Sequence, residues 1–375
     1  MNRPAHYALL ISLSLAACEP APVAVATRAL VVSPTAASAS TPSQAIPREL
    51  SLASGYGFDG GWYQLYFTDP SNPSSAQLSG GPDEPLASAI DSAQLTIDAA
   101  IYSLSLRRVR QSLIRAHRRG VNVRVVMESD NMDGSAVRAL LDAGIPVLGD
   151  RREGLMHNKF IIIDRSEVWT GSMNFTNNGT YADRNNLIHI HSPRLAADYL
   201  AEFNEMFVDD RFGPDLGSVT PHPKLVVGGA PIEVYFSPDD HVQAALLGLL
   251  GGARTSIFFL AYSFTADPLA EAIVKRAQAG VQVAGVMDDG QVLTNRGTEY
   301  DRFRAAGLDV RLGAEQGLMH HKVLIVDGTT VVTGSYNFTA SAEETNDENV
   351  LVIHDPTIAA EFLQEFERIQ HSAKP

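Results

Sequence analysis

The chain has 375 residues, enough for two ordinary domains or for one body built of two similar halves. Its hydrophobic content of 45% supports a real core, and its formal net charge of −14 excludes a protein whose whole surface binds nucleic acid or anionic lipid. Attraction for a phosphate polyanion must come from a local patch.

The N-terminus reads as a targeting segment. Arg3 and His6 precede a short apolar run, Ala8 to Ala17, that falls short of the roughly 20 residues needed to span a bilayer. The run ends in Leu15-Ala16-Ala17-Cys18, which resembles a bacterial lipobox, with Cys18 the site of lipidation. The alternative is an ordinary signal peptide and a soluble secreted product. Cys18 is the chain's 1 cysteine, so no intramolecular disulfide can form. Residues 19–50 are rich in Ala, Pro, Ser, Thr and Val and read as a disordered tether.

The remainder is an internal repeat. The first copy is expected over 51–210, a linker rich in Pro and Gly over 211–231, and the second copy over 232–375. Tyr66-Phe67 and Tyr235-Phe236 open the copies as edge or entry strands, and Trp62 with the glycines from Gly55 to Gly61 is placed at the mouth of a cleft. Leu95–Leu104 corresponds to Thr255–Phe264, both apolar runs of strand length. Helical periodicity follows over Arg107–Arg119 and Pro268–Ala279, closed by Gly120 and Gly280 and then by strands reaching Met127 and Met287. A second helix and strand come next: Ser135–Ala143 with Ile145–Leu148, and Thr298–Ala306 with Leu308–Leu312. Closing helices lie near Ala196–Phe207 and Ile358–Ile369. The apolar stretch Ala244–Phe264 is broken by Arg254 and several glycines into helix, turn and buried strand. The pattern predicts an α/β protein: two tandem repeats, each a mostly parallel or mixed sheet flanked by helices. A pseudo-twofold axis relates the repeats and puts one site at their interface.

One polar frame is written twice. Gly154-Leu-Met-His157-Asn-Lys159 runs to Asp164 and Gly171-Ser172-Met-Asn174; Gly317-Leu-Met-His320-His-Lys322 runs to Asp327 and Gly334-Ser335-Tyr-Asn337. In a strand, residues i and i+2 share a face, so each His stands with its Lys. Two imidazoles, two ammonium groups and hydroxyl and amide donors suit a phosphodiester. The lysines neutralise non-bridging oxygens, Ser172, Asn174, Ser335 and Asn337 donate to them, one His attacks phosphorus and the other protonates the leaving oxygen. A structural reading stands beside this one, in which each Asp caps a strand end and each Gly-Ser-x-Asn is a turn.

The doubled His-x-Lys-x4-Asp and Gly-Ser-x-Asn pattern resembles the phospholipase D superfamily across residues 60 to 370. The second half is most similar to its bacterial endonuclease and mitochondrial cardiolipin hydrolase-like branch, whose members usually carry one motif and dimerise. This chain resembles a fused dimer that needs no obligate protein partner. The resemblance implies a metal-independent mechanism without a cofactor, through a phosphohistidine, with His157, Lys159, Asp164, His320, Lys322 and Asp327 as catalytic residues. In that branch a Glu after Gly-Ser-x-Asn hydrogen-bonds the catalytic His. Glu348 fits this place after His320, and Asn185 stands in the equivalent place after His157. The expectation is that Glu348 pairs with His320, the general acid, and Asn185 with His157, the nucleophile.

Arg107, Arg108, Arg110, Arg115, Arg118, Arg119 and Arg124 cluster in one helix and the next strand, and read more readily as a solvated face than as a phosphate-binding surface. Arg151 and Arg152, close before the first motif, are better candidates for phosphate. His189 and His191 alternate on a strand but lack further ligands, so no metal site is expected. The expected protein is an enzyme, a phosphodiesterase lipid-anchored in the bacterial cell envelope and facing the periplasm or exterior. Its leading substrate is DNA or RNA, with a membrane phospholipid as the alternative. Phosphatidyl transfer and non-catalytic polyanion binding rank lower.

Overall fold

The computed structural model describes residues 47–214, 219–313 and 316–374. The putting of Cys18 in a lipobox, and most of the tether, fall outside these residues.

The first half contains nine strands: β1 (Arg48–Ser51), β2 (Tyr56–Asp59), β3 (Tyr63–Phe67), β4 (Thr96–Ile101), β5 (Asn122–Met127), β6 (Val147–Gly149), β7 (Lys159–Ile163), β8 (Glu167–Gly171) and β9 (Asn186–His191). Its helices are α1 (Asp83–Ser92), α2 (Arg107–Arg118), α3 (Ser135–Asp142), α4 (Asn177–Tyr181) and α5 (Pro193–Phe207). The second half contains β10 (Lys224–Val227), β11 (Ala230–Ser237), β12 (Ser256–Ala261), β13 (Gln282–Asp288), β14 (Asp309–Gly313), β15 (Lys322–Val326), β16 (Thr330–Gly334) and β17 (Glu348–His354). Its helices are α6 (Val242–Gly252), α7 (Asp267–Gln278), α8 (Asp289–Thr294), α9 (Tyr300–Ala305), α10 (Ala340–Glu344) and α11 (Pro356–Ser372).

The sheet orders are β1-β2-β3-β9-β8-β7-β4-β5-β6 and β10-β11-β17-β16-β15-β12-β13-β14. Only β4-β5-β6 and β12-β13-β14 pair in parallel, across the βαβ crossovers; the other pairs are antiparallel. The sheets are therefore mixed. Gly120 and Gly280 end α2 and α7 with φ of 94° and 92°, the left-handed turn a Cβ would disfavour.

Both faces of each sheet are covered, which is why the strands read as continuous apolar runs. The outer faces pack on α1–α3 in the first half and on α6, α7 and α9 in the second. The inner faces share one core through α5 and α11, joining Phe160, Tyr199 and Phe203 to Val323, Leu351 and Phe362. A joint core of this kind makes the two halves one body.

Four expectations change. The tether ends earlier than residue 50, because Arg48–Ser51 pairs with β2. The linker 211–231 contains β10, which turns through Gly228 and Gly229, both at positive φ, into a hairpin with β11. That hairpin and β2 cover β11 and β3, so neither is an edge strand. Trp62 packs over Gly228 of the hairpin and not at a cleft mouth. Among the described residues no helix is long and apolar enough to cross a membrane.

Candidate active site

Each His-x-Lys segment sits at the start of a central strand, β7 or β15, and is held from the opposite half. Met156 bridges in parallel to Asp347, and the His157 amide donates to the Asp347 carbonyl at 3.0 Å. Met319 bridges to Arg184, and the His320 amide donates to the Arg184 carbonyl at 3.0 Å. The residues just before β9 and β17 therefore clamp the motif of the other repeat. The methionine amides are fixed within their own halves, donating to Glu128 and Asp288 at 2.9 Å each.

This exchange crosses the side-chain pairing. His157 Nδ1 lies 2.9 and 2.8 Å from the two carboxylate oxygens of Glu348, and His320 Nδ1 lies 2.9 Å from Asn185 Oδ1. The expected pairing of Glu348 with His320 and of Asn185 with His157 is wrong. Sequence spacing ranked partners within a repeat, whereas the interface supplies them from the other repeat. With Nδ1 engaged, each ring has Nε2 left for chemistry.

Both histidines are buried, 7% and 5% exposed. Each packs on a tyrosine from the end of β4 or β12: Tyr102 at 4.8 Å from His157 and Tyr262 at 4.6 Å from His320. Lys159 and Lys322 donate to their own histidine's carbonyl at 2.6 and 2.8 Å and lie over the same tyrosine rings at 4.9 and 4.8 Å. Tyr102 and Tyr262 were missed as site residues, although the repeated Tyr-Ser after an apolar strand was a readable signal.

Burial dominates the electrostatics. It pulls the His157 imidazole down to about 4, against the raising effect of Glu348, and Lys159 down to about 7. Burial also drives His320 and Lys322 well below their ordinary values, helped by the other cations of the site. Burial pushes the Glu348 carboxyl up, but His157 and Lys159 outweigh it and hold it ionised. Two imidazoles and two amines crowded together favour neutral forms until an anion arrives, and an oxyanion entering here takes up protons.

The other expected residues divide. Ser172 and Ser335 are fully buried and serve the orienting groups. Ser172 Oγ donates to Asn185 Oδ1 at 2.8 Å, and Ser335 lies against Glu348 while accepting from the Asn349 amide at 3.0 Å. They were expected to donate to phosphate, and that is corrected. Asn174 and Asn337 are partly exposed, and their buried Oδ1 atoms have no partner among the described residues. Asp164 and Asp327, expected as catalytic, lie at the far ends of β7 and β15. Asp164 accepts from the Gln94, Leu95 and Thr96 amides, and Asp327 from those of Arg254, Thr255 and Ser256. They fix the loops that enter β4 and β12, a full strand away from the histidines.

The neighbours of the motif complete the crossing. Asn349 Nδ2 donates to Asn158 Oδ1 at 2.8 Å, and Asn186 Nδ2 donates to His321 Nδ1 at 3.0 Å, with His321 Nε2 3.1 Å from Glu365. Gly171 and Gly334 make room for this: a Cβ would stand 2.5 Å from the Asn186 carbonyl oxygen and 2.1 Å from that of Asn349. Asn186 and Asn349 went unremarked in the sequence, although they too repeat in register.

Arg152 is held by the buried Asp347 at 2.6 Å and turned away from phosphate, whereas Arg151 meets Asp210 in a pair exposed on the surface. Arg108 meets Asp83 and Glu84, Arg115 and Arg119 meet Asp91, and Arg124 meets Asp98. His189 faces Glu167 at 3.0 Å and stacks on Trp169. Among the described residues no cluster of three or more His, Cys, Asp or Glu is arranged to hold a metal.

A family model described as "Cardiolipin synthase, PLD-like domain" matches residues 86–207 and again 246–370. The chain belongs to the phospholipase D superfamily. The two matched segments coincide with the two halves that share the site. The mitochondrial cardiolipin hydrolase of Xenopus tropicalis is 36% identical over 148 residues, covering 39% of this chain and 70% of the relative. A phospholipase D of Rickettsia bellii is 31% identical over 153 residues, covering 39% and 76%. Among solved structures, phosphatidylserine synthase of Haemophilus influenzae superposes with a TM-score of 0.61 at 15% identity, covering 83% of this chain and 87% of that one. Nuc of Salmonella typhimurium, a phospholipase D family member, is 33% identical with a TM-score of 0.37, covering 39% and 97%. Superfamily membership makes this chain a phosphodiesterase of the phosphoric diester hydrolase type.

Proposed function

We propose that the chain hydrolyses nucleic-acid phosphodiesters by two displacements through a phosphohistidine on His157, without a metal. The crossed and unequal pairing of the histidines carries the two-displacement part of this reading. In the first step the His157 Nε2 lone pair attacks phosphorus, the bond to the leaving oxygen breaks, and His320 gives that oxygen its proton. In the second, His320 takes a proton from water, the hydroxide attacks phosphorus, and the P–N bond breaks to return neutral His157.

The nucleophile gains positive charge in the transition state and the acid loses it. A carboxylate beside the nucleophile therefore stabilises the transition state over the ground state, whereas a carboxylate beside the acid would hold the proton back. Glu348 stands beside His157, and a neutral amide stands beside His320. This argument makes His157 the nucleophile on grounds opposite to the pairing expected from sequence. Lys159, Lys322, Asn174 and Asn337 would hold the phosphate oxygens.

Tyr102 and Tyr262 are partly exposed, each with its own repeat's lysine over the ring and a histidine against it, and a base entering the site meets the aromatic surface that remains. The name of the Xenopus relative favours a second reading, a phospholipid diester. Cys18 and the apolar run before it support anchoring in a bacterial envelope. The test is to incubate the full chain in EDTA with plasmid DNA or with phosphatidylcholine vesicles. DNA cleavage without lipid turnover is expected. Lipid turnover alone would select the second reading, and activity abolished by the chelator would refute the mechanism.

A further inference from the structure

The two halves are not equal around the site. Between β3 and α1 the first half spends fifteen residues, Thr68–Pro82, where the second spends four between β11 and α6. The extra segment carries a short 3-10 turn, Pro73–Gln77, capped by Asn72. It walls two adjoining cavities of about 520 and 460 Å³ that share Leu78, Asn177 and Tyr181. Together they form one groove. At one end stand Arg107 and Gln111 of α2; at the other stand Gln316 and Gly317, which lead directly into the His320 motif.

The groove is tied to the active site at both ends. Ser105 and Leu106, just before α2, donate to the carbonyl of Phe175, the residue after Asn174. Leu318, just after Gly317, donates to Asp183, two residues before Asn185. Part of the groove's lining is committed to the fold, as where Tyr181 donates to Asp83 and Ser75 to the Asp69 carbonyl, and part of it is free. The amides of Gln111, Asn177, Asn178 and Gln316 make no side-chain hydrogen bond among the described residues, and Arg107 has no carboxylate partner there. Arg108 is spent on Asp83 and Glu84. One free cation is too few to hold a duplex by its phosphates. Four free amides beside Pro70, Pro73 and half-exposed Leu78 suit unpaired bases, whose edges accept and donate to Asn and Gln.

We infer that this groove binds the single-stranded polynucleotide flanking the scissile phosphate on one side only, making the pseudo-symmetric site directional. The inference rests on the nucleic-acid reading above. The test compares kcat/KM for a single-stranded oligonucleotide of about 20 nucleotides with that for bis(p-nitrophenyl) phosphate, a diester too small to reach the groove. In the Arg107→Glu/Asn177→Asp variant the ratio of the two should fall about tenfold or more. Arg138→Glu, on α3 outside the groove, should leave that ratio within twofold. Gln111→Glu/Asn178→Asp, on exposed positions, repeats the test should the first variant not fold. A ratio unmoved in both groove variants would overturn the groove while leaving the nuclease reading intact. A wild-type chain that hydrolyses the small diester but no oligonucleotide would overturn both.

Discussion

Replacing Glu348 by Gln keeps the size and one hydrogen bond to His157 but removes a buried negative charge. Opposite unit charges about 4 Å apart, at an effective dielectric near 20, interact by about 4 kcal/mol. With roughly half the charge developed on His157 in the transition state, and a neutral hydrogen bond replacing a charge-assisted one, the loss is about 2–3 kcal/mol. That corresponds to a fall of roughly 30- to 150-fold in kcat/KM for a small diester. The readout that separates this from general damage is the imidazole NMR spectrum. Glu348→Gln should move the Nδ1 proton of His157, whose ring is 2.8 Å from the carboxylate, and leave that of His320, which meets Asn185. A perturbed His320 with an undisturbed His157 would refute the crossed arrangement, as would full activity.

Other outcomes follow from the same geometry. Asp327→Ala strips the acceptor from three backbone amides and should cost about 1–3 kcal/mol in thermal or denaturant unfolding, with kcat changed by less than about threefold; a thousandfold loss of kcat at full stability would restore Asp327 to the chemistry. Gly334→Ala drives a Cβ into the Asn349 carbonyl and should destabilise by about 2 kcal/mol or more, measured by urea unfolding. Sulfate keeps its charge near neutrality, so its binding reports the protein's protons. Burial lowers Lys159 to about 7 in the empty site and an anion raises it, so affinity should strengthen as pH falls towards 7, by up to about tenfold per unit for one coupled proton. Isothermal titration at several pH values checks this, and affinity independent of pH would contradict it. Asn185→Asp puts a carboxylate beside His320, which raises its pKa, and should move the acid-dependent limb of the pH–rate profile upward.

The sequence made the repeat, the order of its strands and helices, and the meeting of two His-x-Lys segments readable, because apolar periodicity and register are local properties. Partner choice was not local. Asn185 and Glu348 were found by their spacing, but which ring each one holds depends on Met156 and Met319 bridging to the opposite half. Nothing within one repeat encodes that crossing. The aspartates misled for a related reason. A residue repeated in a motif looks chemical, yet Asp164 and Asp327 repeat because two identical strand entries need the same cap. Charge counting along α2 could not show that four of the seven arginines in and after that helix meet carboxylates. The groove beside α1 was hidden as well, since it is an insertion in one copy and has no repeated signal.

The most direct measurement is rapid acid-free quenching of the wild-type chain during turnover of a phosphodiester in EDTA, followed by peptide mapping by mass spectrometry. The account predicts a phosphoryl adduct on the peptide carrying His157, held in place by Glu348 from the other half. An adduct on His320, or turnover with no covalent adduct on either histidine, would contradict it.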